Sequence, residues 1–273
     1  MSTLAMGQRG RGQTALVTGA SSGIGAAIAR SLGMHGFDLV LVARRQDRLQ
    51  LLADEISCAG SVKVDVIAAD LGASTGTAAV VTALADRTID VVVNNAGAGW
   101  VGPFHESPAD RQSEIVDINC RALVVLTRAF LPAMMARGHG HIVQIASVAG
   151  FMPGPRSSTY YASKAFVVSH SEALRHELKG TGVAITLVCP GPVATEFQRS
   201  SGVQKTMGGA VAMTDVEVAD ASVAAMLQHR FLVVPGAANF ALVVLCRILP
   251  RRWSAALVDR LQQKRLAIDP AGH

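Results

Sequence analysis

Thr14-Ala-Leu-Val-Thr-Gly-Ala-Ser-Ser-Gly-Ile-Gly25 is the stretch that decides the fold. Residues 14–17 make a short apolar run of the kind a buried strand needs. Gly19 allows the tight turn that follows. Gly23 and Gly25 let the backbone approach a pyrophosphate and let the next helix lie close to the sheet. That helix begins by pointing unpaired N–H groups and a partial positive charge at whatever anion the turn holds. A lone glycine pattern is weak evidence, but this one stands at the first strand-to-helix junction, where its mechanism requires it.

Outward from this stretch the pattern repeats. Apolar runs at 39–43, 62–68, 91–94, 141–146 and 185–189 read as strands, and 231–234 fits a seventh. Between them, 25–35, 47–59, 76–87, 108–137 and 158–179 carry helical periodicity. The strands are nearly continuous Val, Leu and Ile, as expected when both faces of a sheet are covered. Such alternation predicts right-handed βαβ crossovers and an α/β fold: a doubly wound, mostly parallel seven-stranded sheet of the Rossmann type with helices on both faces. Residues 1–13 read as a disordered tail. Residues 14–273 read as one domain, with a C-terminal extension from about 236. Residues 191–214, rich in Gly, Ser and Thr, follow the end of a strand and read as a substrate lid.

Composition narrows the function. The chain has 273 residues, half of them apolar and 16% charged, which suits one large core. The net charge of +5 raises nucleic-acid binding. However, the basic residues sit in a tail, a loop and helix ends at 9–11, 44–48, 251–252 and 264–265, with no aromatic–basic patch. No nucleic-acid partner is expected. Cys58, Cys120, Cys189 and Cys246 stand far apart in apolar surroundings. Free buried thiols in a reducing cytoplasm are expected, and no metal site. The greasiest segment, 231–249, is interrupted by Pro235, Gly236, Asn239 and Arg247 and barely reaches the ~20 residues of a membrane span.

Further motifs follow in order: Asp70-Leu71, Asn94-Asn95-Ala96-Gly97, Asn119, Ser147, Tyr160-x-x-x-Lys164 and Pro190-Gly191. With the Gly-x-x-x-Gly-x-Gly spacing of the first turn, this series resembles the short-chain dehydrogenase/reductase family over residues 14–195. The resemblance implies an NAD(P)-binding oxidoreductase. It implies cofactor contacts at Gly19, Ser21, Ser22, Gly23, Ile24 and Gly25, at Asp70 and Leu71 beside the adenine, and at Asn95, Ala96 and Gly97. Tyr160, Lys164, Pro190, Gly191, Val193 and Thr195 would complete the nicotinamide end.

The second strand selects the cofactor. NAD enzymes of this fold place an acid at its end for the ribose 2′-OH. Here it ends at Ala43, and Arg44-Arg45 follow. Asp38 stands at the wrong end of the strand. A guanidinium suits a 2′-phosphate, so NADP(H) is expected over NAD(H), with Arg44 the leading contact and Arg45 beside it.

Tyr160 and Lys164 are one helical turn apart and share a face. A tyrosine hydroxyl titrates near ~10. A neighbouring ammonium lowers that value and readies the group to exchange a proton at neutral pH. By the resemblance, Tyr160 is the general acid and Ser147 orients the substrate carbonyl. Lys164 also holds the ribose, and Asn119 holds a water that links Lys164 to solvent. The pattern Tyr-x-Ala-Ser-Lys selects Tyr160 over Tyr161, which is expected to face core or a sister subunit.

A pocket wall from 98–104, 150–156 and the lid would contribute Trp100, Phe104, Phe151, Met152, Phe197 and Met207. It predicts a small hydrophobic carbonyl substrate: a 3-oxoacyl, steroid or long-chain compound. Two alternatives stay open, an alcohol dehydrogenase working in the oxidising direction and a non-catalytic NADP(H) sensor. The resemblance implies a homodimer or homotetramer built on the helices after the fourth and fifth strands. The C-terminus, with Trp253 among basic residues, packs on the domain or touches a membrane peripherally, so the expected location is cytoplasmic with optional membrane contact.

Overall fold

A computed structural model describes residues 9–193, 196, 201, 213–248 and 251–266. Seven strands form one sheet: β1 (Thr14–Thr18), β2 (Asp38–Ala43), β3 (Val64–Ala68), β4 (Val91–Asn94), β5 (Gly140–Ile145), β6 (Val183–Val188) and β7 (Leu232–Val233). Their order is β3-β2-β1-β4-β5-β6-β7, and every neighbouring pair is parallel. The expected sheet is therefore present, and it is parallel throughout. The order reverses between β1 and β4, so the crevice outside their carboxyl ends is the natural ligand site.

The helices are α1 (Gly23–Met34), α2 (Gln46–Ala59), α3 (Ser74–Ala83), α4 (Arg111–Arg137), α5 (Ser158–Glu177), α6 (Asp215–Leu227), α7 (Ala237–Ile248) and α8 (Arg251–Leu266). Helices α1, α2 and α6 bury Ile28, Leu32, Leu49, Ile56 and Val223 on one sheet face. Helices α3, α4 and α5 bury Val80, Leu126, Phe130, Met134 and Leu174 on the other. Alternate strand residues supply each side: Leu39 and Leu41 to the first, Val40 and Val42 to the second.

Three details depart from the sequence reading. First, α4 begins at Arg111 rather than 108 and is not uniform, because residues Asp117–Ala122 form a π-helical turn. Second, α6 was not assigned from sequence, although Thr214 and Glu217 form a complete capping box at its start. Third, Cys58 is exposed on α2 and Cys120 half-buried, while Cys189 and Cys246 are buried. The expected set of four buried thiols is thus corrected to two.

Most of the segment read as a lid lies outside the described residues, including Thr195, Phe197 and Met207. Near its two ends Val193 and Met213 form a parallel bridge, and within it the Ser201 carbonyl accepts from the Val101 N–H at 2.9 Å. Of the 1–13 tail, residues 1–8 also lie outside the described residues.

Candidate active site

One cavity of about 620 Å³ opens at the carboxyl ends of β1 and β4. Its size is ordinary for a small-molecule site. Every residue of the expected cofactor set within the described chain lines it except Gly25. Among the expected catalytic residues, Ser147, Tyr160 and Lys164 line it and Asn119 does not.

The glycine turn is built as its residues require. Gly19 has φ 66°, and a Cβ there would sit 2.9 Å from the Ala96 Cα. A Cβ on Gly25 would overlap the Asn95 amide and the Gly19 carbonyl. Gly25 thus works from behind, letting α1 approach the turn. Thr18, at the end of β1, ties the turn to β4. Its Oγ1 donates to the Val93 carbonyl at 3.1 Å and accepts from the Asn95 and Ala96 N–H groups at 3.0 Å each. The Asn95 Nδ2 donates to the Thr18 carbonyl at 2.9 Å. The four-residue Asn94–Gly97 motif therefore braces the central sheet and lines the cavity together. The Thr18 hydroxyl was missed from sequence because nothing local announces a partner 75 residues away.

The part of the cavity beside the glycine turn carries a cationic group. Arg45 donates to the Ser21 hydroxyl at 3.0 Å from Nη2 and 3.3 Å from Nε, and to the Ser22 hydroxyl at 3.0 Å. Its Nη1 donates to Glu196 at 2.9 Å, and Arg48 grips both oxygens of that carboxylate at 2.7 and 2.8 Å. The two guanidiniums hold the Glu196 carboxyl down to about 2. Arg44 lines the cavity too, but its side chain is 63% exposed and its one ion pair, to Glu114, is 3.4 Å long. Both arginines line the cavity, Arg44 reaching toward solvent and Arg45 tied to Ser21, Ser22 and Glu196. Asp38 turns away, its carboxylate accepting from the Lys63 N–H. On the far side, Asp70 Oδ1 caps the Gly72 N–H at 3.0 Å, and Arg121 donates to the Leu71 and Gly72 carbonyls.

At the other end, α5 presents Tyr160 and Lys164 one turn apart. Lys164 is buried and donates from Nζ to the Ile145 carbonyl at 2.9 Å. Burial lowers its pKa to about 8. The ammonium lies 5.9 Å from the centre of the Tyr160 ring. Ser147 follows β5, where its hydroxyl accepts from the Ala149 N–H at 3.1 Å and donates to the Pro190 carbonyl at 3.3 Å. Asn119 occupies the π turn of α4, a kind of defect often found at functional sites. Its Oδ1 accepts from the Ala98 N–H at 2.8 Å, and its Nδ2 donates to the Ala98 carbonyl and to the Ser163 hydroxyl. Burial pushes the Cys189 thiol up to about 12, so it is inert here.

The substrate wall differs from the expected list. Trp100 lines the cavity, but Phe104 is exposed. Met152 packs toward α7 and α8, and Phe151 lies under the Arg247 guanidinium. Val101, Val148, Ser157, Tyr161, Ser201 and Gln262 take their place. Tyr161, expected in core or at a subunit contact, faces the same cavity as Tyr160, with the two rings edge-on at 6.0 Å.

A parallel doubly wound sheet, a phosphate turn at its switch point and a Tyr–Lys pair across one cavity define a dinucleotide-dependent oxidoreductase. The model of the short chain dehydrogenase family matches residues 13–206. The chain belongs to that family and acts as an oxidoreductase on a CH–OH/C=O pair. It is 38% identical over 219 residues to the NADP-dependent 3-hydroxy acid dehydrogenase YdfG of Escherichia coli, covering 76% of this chain and 86% of that one. It is 36% identical over 191 residues to a short chain dehydrogenase of Pseudocercospora fijiensis, covering 68% of this chain and only 62% of that one. Among solved structures, a short-chain dehydrogenase from Sphingobium yanoikuyae in complex with NADPH superposes with a TM-score of 0.78 at 33% identity, covering 96% of this chain and 98% of that one. The bulky-bulky ketone specific alcohol dehydrogenase from Comamonas testosteroni gives 0.73 at 32% identity, covering 96% of each chain.

Proposed function

We propose that this protein reduces a hydrophobic ketone or aldehyde with NADPH, as one catalytic domain. The observation that carries this reading is that one and the same cavity has Arg45 at one end and Tyr160, Lys164 and Ser147 at the other. NADP(H) suits the chain because its second strand ends at Ala43 with no acid and is followed by Arg44 and Arg45. The NADP named for the Escherichia coli relative and the NADPH of the Sphingobium structure support this. When bound, the cofactor supplies hydride to the carbonyl carbon.

The chain's own groups do the rest. The glycine turn and the N-terminus of α1 hold the pyrophosphate. The Ser147 hydroxyl orients the carbonyl oxygen. Tyr160 donates its proton to that oxygen as general acid. Lys164, with its pKa lowered to about 8, favours the phenolate that remains and binds the nicotinamide ribose. Asn119, bonded through its side chain to both the N–H and the carbonyl of Ala98, would hold the water through which protons return to Lys164.

The named substrates of the relatives, a 3-hydroxy acid and a bulky ketone, bracket the proposed class of 3-oxoacyl, steroid and long-chain carbonyls. A purely sensing role is less favoured, because both Tyr160 and Lys164 are in place, while the same residues would serve the oxidising direction with the oxidised cofactor. Exposed Val124 on α4 and Phe166 on α5 fit a homodimer or homotetramer joined through those helices.

A cytoplasmic enzyme with a peripheral membrane contact is part of the same proposal. Phe240, Ile248 and Trp253 are exposed on α7 and α8 beside the exposed Arg252. Sedimentation with anionic vesicles that Trp253→Ser abolishes supports that contact, and indifference to the vesicles removes it.

The test of the activity is NADPH oxidation across a carbonyl panel with Tyr160→Phe alongside. A loss of turnover of about 10²–10⁴-fold with cofactor binding retained is expected. Turnover that persists in the variant breaks the assignment.

A further inference from the structure

The cationic group beside the glycine turn is already paired, and its partner is the chain's own carboxylate. Glu196 lines the cavity together with Arg45. Its Oε2 accepts from Arg45 Nη1 at 2.9 Å, and its two oxygens accept from Arg48 Nη1 at 2.7 and 2.8 Å. Arg45 is the residue before α2 and Arg48 lies in its first turn, where the helix dipole also favours an anion. Glu196 comes from beyond β6, 148 positions from Arg48. Two guanidiniums and a helix start thus form a seat for one anion, and a carboxylate sits in it.

Two features mark Glu196 as an occupant of that seat rather than a brace for it. First, Arg45 is placed without it. Its Nε and Nη2 donate to the Ser21 hydroxyl at 3.3 and 3.0 Å, and its Nη2 donates to the Ser22 hydroxyl at 3.0 Å. Second, the side chains of Arg45, Arg48 and Glu196 are 40%, 42% and 37% exposed. Ion pairs this open to water are weak, so a more highly charged anion displaces the carboxylate readily. Glu196 does not leave by taking up a proton, because the two guanidiniums hold its carboxyl down to about 2. At neutral pH it yields the seat by exchange with another anion.

We propose that Glu196 is a specificity residue that occupies the seat of the cofactor's 2′-phosphate and is exchanged for it. This rests on the NADPH-dependent reading above. A phosphomonoester suits the seat, since it carries about −1.5 to −2 charge at neutral pH and its oxygens match the guanidinium fork. The pyrophosphate is provided for separately, by the glycine turn and the start of α1. A cofactor without the 2′-phosphate has nothing to exchange and leaves Glu196 on both arginines. Glu196 therefore lowers the affinity for NADPH and leaves that for NADH alone, which narrows the margin between the two.

The experiment titrates NADPH and NADH, which differ by the 2′-phosphate alone, into wild type, Glu196→Gln and Glu196→Ala, following binding by fluorescence. Salt is kept at about 0.15 M, where charges more than roughly 8 Å apart are largely screened. Two variants, one keeping the shape of the side chain and one removing it, guard against a local folding defect. Each is expected to lower the Kd for NADPH about two- to fivefold, the range open to an exposed ion pair, with the Kd for NADH unchanged. A Kd for NADPH that stays or rises in both variants makes Glu196 a brace and overturns the proposal. Equal tightening of both cofactors overturns it too, since a diffuse charge effect then suffices. Because binding alone is read, failure of the reductase reading shows separately, as wild type that binds NADPH but turns over no ketone. Wild type that does not prefer NADPH to NADH overturns the cofactor reading and this proposal with it.

Discussion

The two ends of the cavity are built in different ways. The cofactor end, from β1 through Gly97 with Arg45, is made of short contiguous motifs, each on the turn after its own strand. The substrate end is assembled from Trp100, Ser157, Tyr161 and Gln262, which come from three elements and span 162 positions of the chain. A dinucleotide is bound by backbone, and backbone geometry is encoded locally by glycines and helix starts. A substrate is bound by side chains, whose meeting depends on how distant helices dock. The first kind of site is legible in one dimension, and the second requires the fold.

The largest effect that sharpens this contrast lies at the cofactor end. Arg45→Ala is expected to raise the Kd for NADPH about 10–100-fold and to leave that for NADH nearly unchanged, because charge-assisted hydrogen bonds are worth about 1.5–3 kcal/mol. Arg44→Ala, removing a side chain that faces mostly solvent, is expected to cost only a few-fold. Fluorescence titration of both cofactors checks the order. Equal losses at the two arginines would return the leading role to Arg44.

A second, intermediate effect separates sheet from site. His141 on β5 is buried beside His229 and bonded to Thr186 Oγ1 at 2.8 Å, and burial lowers its pKa to about 3. Its ordinary value is about 6.5. Unfolding therefore takes up a proton below that value while the native state resists. The stability that neutral His141 allows is present above pH ~6.5 and is lost as pH falls toward 3. Tm should decline over that window, less steeply in His141→Gln. Identical slopes would assign the acid sensitivity elsewhere.

The smallest effect is at the C-terminal end. Asp259→Asn breaks a one-third exposed ion pair, worth at most about 1 kcal/mol, so Tm should move by only about 2–4 °C. Because α8 carries Gln262, which lines the cavity, KM for the ketone substrate is expected to rise as well. A KM that does not move would detach α8 from the substrate end.

The pattern of success in the sequence reading follows the same line. All seven strands were legible, because a buried parallel strand is a continuous apolar run. Gly19, Asn95, Ser147, Tyr160 and Lys164 were legible because each belongs to a spaced motif. Asn119 was located, but its π turn was not, since one extra residue in a helical turn leaves the periodicity almost unchanged. Helix α6 was overlooked behind a Gly/Ser/Thr-rich stretch, although Thr214 and Glu217 signal its start. Phe104 and Phe151 were assigned to the pocket as the large apolar residues of segments 98–104 and 150–156. Hydrophobicity does not say which way a loop side chain turns. Gln262 had no local signal at all. An amide on the buried stripe of an amphipathic helix is visible only when the helix is seen to pack on Tyr161.

The central claim is hydride transfer to a carbonyl with Tyr160 as proton donor. It is tested most directly by incubating the enzyme with a hydrophobic ketone and NADPH deuterated on the transferring carbon, then locating the label. Deuterium is expected on the carbinol carbon of the product in wild type, and no labelled alcohol from Tyr160→Phe under the same cofactor saturation. Labelled product formed equally well by the variant, or saturating NADPH with no label transferred to any ketone that binds, would contradict it.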